Sequence, residues 1–242
     1  MKTAVCLYGQ PRNFHNNWPY LKNHVIDNNG ADIFFHSWFH ENDLVVSGST
    51  MAGKFLHPNL RADLPNIINP KSFIIESQKP FHEKMVTLTD NQIDACHPNL
   101  YGNPDKTAFI KNITKTQYSM MYSIHQSVML KELYAQKNQF EYDCVIISRF
   151  DTSPKLAVNL SDINLNNITT CYGPLPRGEI NDWFIICNNK HSNILGSLFF
   201  LLDYHRDNII ANDSMWVSEA YIREQVKLFN INVDFKNYNI TF

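Results

Sequence analysis

Arg149 and Asp151, separated only by Phe150, end the run Tyr142-Asp-Cys-Val-Ile-Ile-Ser-Arg-Phe-Asp151-Thr152. The apolar tract Cys144–Ile147 reads as a fully buried strand. Burying either charge alone is costly, so a strand ending on both ends at a ligand or at an ion pair. A cation and an anion two residues apart suit a phosphate and the metal ion that accompanies it. The plainer alternative is a structural Arg–Asp pair.

Three further segments carry usable chemistry. Gly9-Gln10-Pro11-Arg12-Asn13 follows the first strand; its glycine permits close backbone approach, and Gln10 and Arg12 can read a base, ribose or phosphate. A tight turn with a surface arginine is the plainer reading. Phe34-Phe35-His36-Ser37-Trp38 ends the second strand, where aromatics can line a pocket and His36 can hydrogen-bond a ligand or be a buried structural histidine. Ile180-Asn181-Asp182-Trp183-Phe184 offers Asp182 as a general base and Trp183 as a stacking surface, although Asn-Asp is also ordinary turn chemistry. The loop Tyr172–Gly178 can flank an acceptor site, while His205 and Glu219 read as solvated helix faces.

Strand and helix signals alternate, which favours an α/β layer structure. Strands are expected at Thr3–Tyr8, Asp32–His36, Phe73–Glu76, Cys144–Ile147, Thr169–Tyr172 and Trp183–Cys187. Helices are expected at Trp18–Asp27, Thr116–Gln136, Lys190–Tyr204 and Ser214–Leu228, the last capped by Asp213 or Ser214, with a short one at Thr89–Cys96. His40–Pro70 reads as loop or irregular insertion. No repeat or linker divides the chain, so one domain over 1–242 is expected. In open α/β sheets ligands bind outside the carboxyl ends of the strands, where Arg149 and Asp151 would lie.

Composition narrows the partners. A net charge of −2 supplies no field for nucleic acid or anionic lipid, so no nucleic-acid partner is expected. Five cysteines without C-x-x-C spacing fit a reducing, cytoplasmic setting. The longest apolar stretch, Ile194–Leu202, is too short to span a bilayer. There are 29 asparagines, and the five N-x-S/T matches among them read as chance. No G-x-G-x-x-G and no P-loop occurs, which argues against dehydrogenase and P-loop NTPase readings; a nucleotidyltransferase would need a Gly- and Lys-rich first loop that is missing.

Taken in order, Val5–Arg12, Ala31–Trp38, Tyr142–Asp151 and Asn181–Phe184 resemble the GT-A-type glycosyltransferases of large DNA viruses and bacterial polysaccharide loci. The likeness runs from Met1 to about Asn232. It implies a GT-A fold, a Rossmann-like α/β/α sandwich with a mixed, mostly parallel central sheet. It also implies a nucleotide-sugar donor, a UDP-sugar foremost, and a glycan acceptor. In such enzymes a D-x-D motif binds ribose and, through a divalent cation, the diphosphate. The matching place here is Arg149-Phe150-Asp151, with arginine in place of the first aspartate. Asp151 would then ligate Mn²⁺ or Mg²⁺. Arg149 could contact phosphate directly and substitute in part for the ion. Gly9, Gln10, Arg12 and His36 would cradle the nucleotide. Asp182 would be the base of an inverting enzyme, or an acceptor-binding residue in a retaining one. The competing reading is a catalytically inert nucleotide- or sugar-binding module of the same shape.

Overall fold

The computed structural model describes residues 1–39, 60–78, 80–81, 106–171, 180–211 and 218–241. The expected helix at Thr89–Cys96, the loop Tyr172–Gly178 and the cap at Asp213 or Ser214 lie outside them, as does Cys96. Seven strands form one sheet: β1 (Thr3–Gly9), β2 (Asp32–Phe39), β3 (Ser72–Ser77), β4 (Cys144–Arg149), β6 (Ile168–Cys171), β7 (Phe184–Cys187) and β8 (Val233–Lys236). Their order is β3-β2-β1-β4-β7-β6-β8. Only β7 opposes the others, being antiparallel to both β4 and β6. A separate ribbon pairs β5 (Ser153–Pro154) with β9 (Ile240–Thr241).

The central strands are buried on both faces, as their unbroken apolar sequence requires. Alternation along β1 sends Ala4, Cys6 and Tyr8 to one face and Val5 and Leu7 to the other. The long helix α3 (Lys106–Lys137) covers the first face with Tyr118, Met121, Ile124 and Val128. On the second lie α1 (Phe14–Leu21), with Phe14, Trp18 and Leu21, and α2 (Leu60–Ile68), with Leu64 and Ile68. The result is a mixed α/β sheet with helices on both faces.

Helix α1 begins four residues earlier than expected. Pro19 removes one rung from it, and the turn after it, Lys22–Asp27, widens to π spacing. Helix α2 occupies a stretch expected to be irregular. Pro65 hides it in the sequence, yet Leu64 and Ile68 are buried four residues apart, and Asn69 closes it at φ 51°. Asparagine fills four of the five positive-φ non-glycine positions among the described residues, which accounts for some of its heavy use.

The expected helix Lys190–Tyr204 is instead α4 (Asn189–Ser197), a 3₁₀ turn at Leu198–Leu201 and α5 (Leu202–Ala211). Asn188 caps α4 by accepting from the His191 N–H at 2.8 Å. A wholly buried ammonium, that of Lys131, joins α3 to α4: it donates to Ser192 Oγ at 2.8 Å and Asn193 Oδ1 at 3.1 Å and pairs with Glu132 at 2.7 Å. Gly196 lets the two helices approach, since a Cβ there would meet Val128 at 3.1 Å. Helix α6 (Ser218–Leu228) follows, and no described helix is long and apolar enough to cross a membrane.

From β1 the chain moves outward to β2 and β3, then returns through α3 to β4 on the other side of β1. The connections therefore diverge between the carboxyl ends of β1 and β4. That is the position at which a doubly wound sheet opens a crevice.

Candidate functional site

Strand β1 ends at Gly9 with φ 92°, a conformation that side chains with a Cβ rarely adopt. The chain turns there through Gln10, Pro11 and Arg12 into α1. Across the crevice, β4 ends at Arg149, and β7 begins alongside it in the opposite direction. The backbone N–H of Arg149 donates to the Trp183 carbonyl at 3.2 Å. The Tyr8 hydroxyl donates to the Asp182 carbonyl, so the ends of β1, β4 and the start of β7 meet.

A cavity of about 80 Å³ opens at this junction. At about 10–15 Å³ of such space per water, it takes several waters or a phosphoryl-sized group. The turn after β1, Arg149, Trp38 and the α3 residues Thr116, Ser119 and Met120 line it. Gln78 also lines it and accepts from Gln10 Nε2 at 3.0 Å. Trp38 is fixed by its indole N–H, which donates to the Ser119 carbonyl at 2.9 Å.

Beneath the arginines lies Asp151, with 1% exposure. Arg149 grips it with two parallel bonds, Nε to Oδ1 at 2.8 Å and Nη2 to Oδ2 at 2.7 Å. Arg12 Nε stands 3.3 Å from the same Oδ2. That contact is an ion pair without hydrogen-bond alignment, since Arg12 Nε has no hydrogen-bond partner among the described residues. Asn17 Nδ2 donates to the Asp151 carbonyl at 2.7 Å and holds the turn from the α1 side. Burial lowers the pKa of Arg12; Asp151 opposes this and the like charge of Arg149 adds to it. For Arg149 burial also pulls downward, but Asp151 outweighs it and the net shift is upward. Asp151 thus contacts both guanidinium groups, Arg149 the more tightly, and Asp182 adds a weaker attraction to each.

A divalent cation at Asp151 would need a carboxylate oxygen away from other cations. Both oxygens already face guanidinium nitrogens. At an effective dielectric of 20, two unit charges 4 Å apart interact by about 4 kcal/mol. A dication here would be attracted by Asp151 and Asp182 and repelled by Arg12 and Arg149, and it would find no Asp151 oxygen clear of a guanidinium nitrogen to ligate it. Among the described residues no three His, Cys, Asp or Glu side chains gather to hold an ion. As arranged, the residues do not fit Mn²⁺ or Mg²⁺.

Asp182 is 3% exposed and sits beside Arg149 at the mouth of β7, outside the cavity lining. Its Oδ2 accepts from Ser218 at 3.4 Å, and its Oδ1 has no hydrogen-bond partner among the described residues. Burial raises its pKa, against the attraction of Arg149. Asn181 locks the turn, its Oδ1 accepting from the Trp183 N–H at 2.9 Å. The Asn181 Nδ2 is likewise buried and unpartnered among the described residues.

His36 does not reach the cavity lining. It is fully buried, with Nδ1 2.7 Å from Ser123 Oγ and Nε2 2.8 Å from Glu76 Oε1. Ser123 Oγ also accepts from the Gly9 N–H at 2.7 Å. The Glu76 carboxylate can only accept, so Nε2 carries the ring proton and donates to it; Nδ1 is then an acceptor for the Ser123 hydroxyl, which also lies 3.2 Å from the His36 carbonyl. Burial lowers the His36 pKa although Glu76 opposes it, in keeping with a neutral ring. The relay Gly9–Ser123–His36–Glu76 holds the turn that carries Gln10 and Arg12.

Of the residues expected to act, Gly9, Gln10, Arg12 and Arg149 come together on the cavity. Asp151 and Asp182 are buried against the arginines, and His36 stands behind the turn. His205, expected on a solvated helix face, is 1% exposed, with Nε2 2.6 Å from Gln225 Oε1. Sequence reading missed Thr116, Ser119 and Ser123. Their spacing of three and four along the helix was the available signal, a row of small hydroxyl residues on one side of α3, of which Ser123 contacts the end of β1. The described cysteines, Cys6, Cys144, Cys171 and Cys187, are buried and unbridged. No protein-family model and no curated protein matches the chain.

Proposed function

We propose that the chain is a GT-A-type glycosyltransferase that moves a sugar from a nucleotide-diphosphate-sugar to a hydroxyl of a glycan acceptor. The observation that carries this reading is the convergence of the Gly9–Arg12 turn, the Arg149–Asp151 pair and Asp182 where the sheet connections diverge. The order of motifs that resembles those enzymes supplies the identity of the ligand.

Each group has a role in such a transfer. Arg12 and Arg149 face the charge that grows on a departing diphosphate, and they do so within a pre-set frame. Asp151 aligns the two guanidinium groups. Asp182 takes the proton of the attacking acceptor hydroxyl; a carboxylate whose pKa burial has raised is a better base than an exposed one. Gln10 and Trp38 offer a polar edge and an aromatic face to the nucleoside or sugar.

The test is a thermal-shift screen of UDP- and GDP-sugars, followed by an assay for nucleoside diphosphate release with glycan acceptors. A donor present at a hundred times its dissociation constant stabilises by about 2.7 kcal/mol, or roughly 5–10 °C in a chain of this size. Absence of any shift with all donors would overturn the reading. Binding without turnover would favour the inert binding module. The burial of Asp182 outside the cavity lining is the observation on that side.

A further inference from the structure

We infer that Arg12, Asp151 and Arg149 form a metal-free diphosphate clamp, in which Asp151 organises two guanidinium groups and the bound anion takes the place a divalent cation would otherwise bridge. The inference rests on the glycosyltransferase reading for the identity of the anion and on geometry alone for the absence of a metal requirement.

Three observations carry it. Both oxygens of Asp151 are committed to guanidinium nitrogens at 2.7–3.3 Å. The carboxylate is 1% exposed, whereas the side chains of Arg12 and Arg149 keep 18% and 16% exposure and line the cavity. The arginines, not the aspartate, therefore meet whatever enters. Arg12 and Arg149 repel one another across Asp151, so an anion arriving on their cavity side is drawn to both guanidinium groups while a cation there is repelled by both. Arg12 is the more available of the two. Its Nε makes no hydrogen bond among the described residues, whereas Arg149 is held by two to Asp151, and a planar guanidinium suits bidentate contact with phosphate oxygens.

The experiment is calorimetric titration of wild-type protein with inorganic pyrophosphate and with UDP, each in EDTA and in Mn²⁺. The same titrations are made on Arg12→Gln. We expect both probes to bind in EDTA with affinities within about threefold of those in Mn²⁺, and Arg12→Gln to weaken both roughly tenfold or more. Binding that needs Mn²⁺, or gains tenfold from it, would overturn the metal-free clamp and leave the glycosyltransferase reading standing. Pyrophosphate binding in EDTA with no response to any nucleotide or nucleotide-sugar would uphold the clamp and remove that reading. No binding of either probe under any condition would overturn both. Should Arg12→Gln fail to fold, the wild-type comparison of EDTA with Mn²⁺ still decides. A folded Arg12→Gln with unchanged affinity would remove Arg12 from the clamp.

Discussion

Replacing Ser123 by alanine should loosen the turn that carries Arg12, although Ser123 itself touches no ligand. Its Oγ accepts from the Gly9 N–H and faces His36 Nδ1, both at 2.7 Å, and its proton is shared between Nδ1 and the His36 carbonyl at 3.2 Å. Truncation leaves two polar groups without a partner. His36 is wholly buried and loses its bond with no water to replace it, whereas the Gly9 N–H is only part-buried. At about 1–3 kcal/mol for each orphaned group, with Gly9 at the low end, the loss is about 2–4 kcal/mol. For a chain of this length that lowers the melting temperature by roughly 4–16 °C. Ser127 provides the control, one turn further along the same helix and equally buried. Its hydroxyl donates only to the Ile124 carbonyl of its own helix, so Ser127→Ala should cost under about 1 kcal/mol. Thermal unfolding of the two variants side by side, with UDP titrated into each, is the assay. Ser123→Ala should weaken UDP as well as melt early, because the turn no longer presents Arg12. If the two variants melt within about 2 °C of each other and bind UDP alike, the relay does not hold the turn.

Gly9→Ala should lower stability by about 1–2 kcal/mol through backbone strain alone, because φ is 92° and no atom lies within 4 Å of the added Cβ; an unchanged melting temperature would show that the turn relaxes freely. Asp151→Asn removes the contacting counter-charge of two part-buried guanidinium groups, leaving only the weaker attraction of Asp182, and should cost about 2–4 kcal/mol, read by denaturant titration. Pyrophosphate should restore more of the melting temperature in that variant than in wild type, and equal shifts would refute the charge argument. The Asp182 carboxyl titrates above its ordinary 3.8 because burial disfavours the charged form. The folded state thus binds this proton more tightly than the unfolded chain. Its contribution is complete below about pH 4 and is lost as pH rises through the raised value. Asp182→Asn should flatten that part of the stability–pH curve and lower transfer by about 10²–10⁴-fold; parallel curves for the two proteins would refute the burial argument.

What the sequence made legible follows from where one interaction dominates. Strands β1 and β4 announce themselves because both of their faces are buried and every residue must be apolar. Arg149 and Asp151 stand out because charges so near a buried tract need a partner. The edge strand β8, Val-Asp-Phe-Lys, is half-buried throughout and only four residues long, too short for alternation to separate it from loop. Helix α2 was hidden by Pro65, which argues against a helix locally while Leu64 and Ile68 pack it in place. The site divides in the same way. Residues at strand ends could be named in advance, whereas Ser123 could not. A buried serine reads as a small filler until the backbone N–H it satisfies lies next to it in space.

The role of Asp151 shows why residue type alone misleads at such a site. A carboxylate at a strand end that approaches a phosphate-sized cavity suggests a metal ligand, because an exposed carboxylate with free lone pairs is one. Here the backbone decides otherwise. Asn17 fixes the Asp151 carbonyl, and Thr152 N–H closes the turn on the Arg149 carbonyl at 3.4 Å. Trp183 ties the turn to β7 through the Arg149 N–H. The carboxylate is thereby held inward, where water cannot reach it and where two guanidinium groups must neutralise it. Once that is so, positive charge is presented to the cavity before any ligand arrives, and little reorganisation remains to be done when an anion enters. A strand end that spends its only carboxylate on arranging arginines is built to receive an anion.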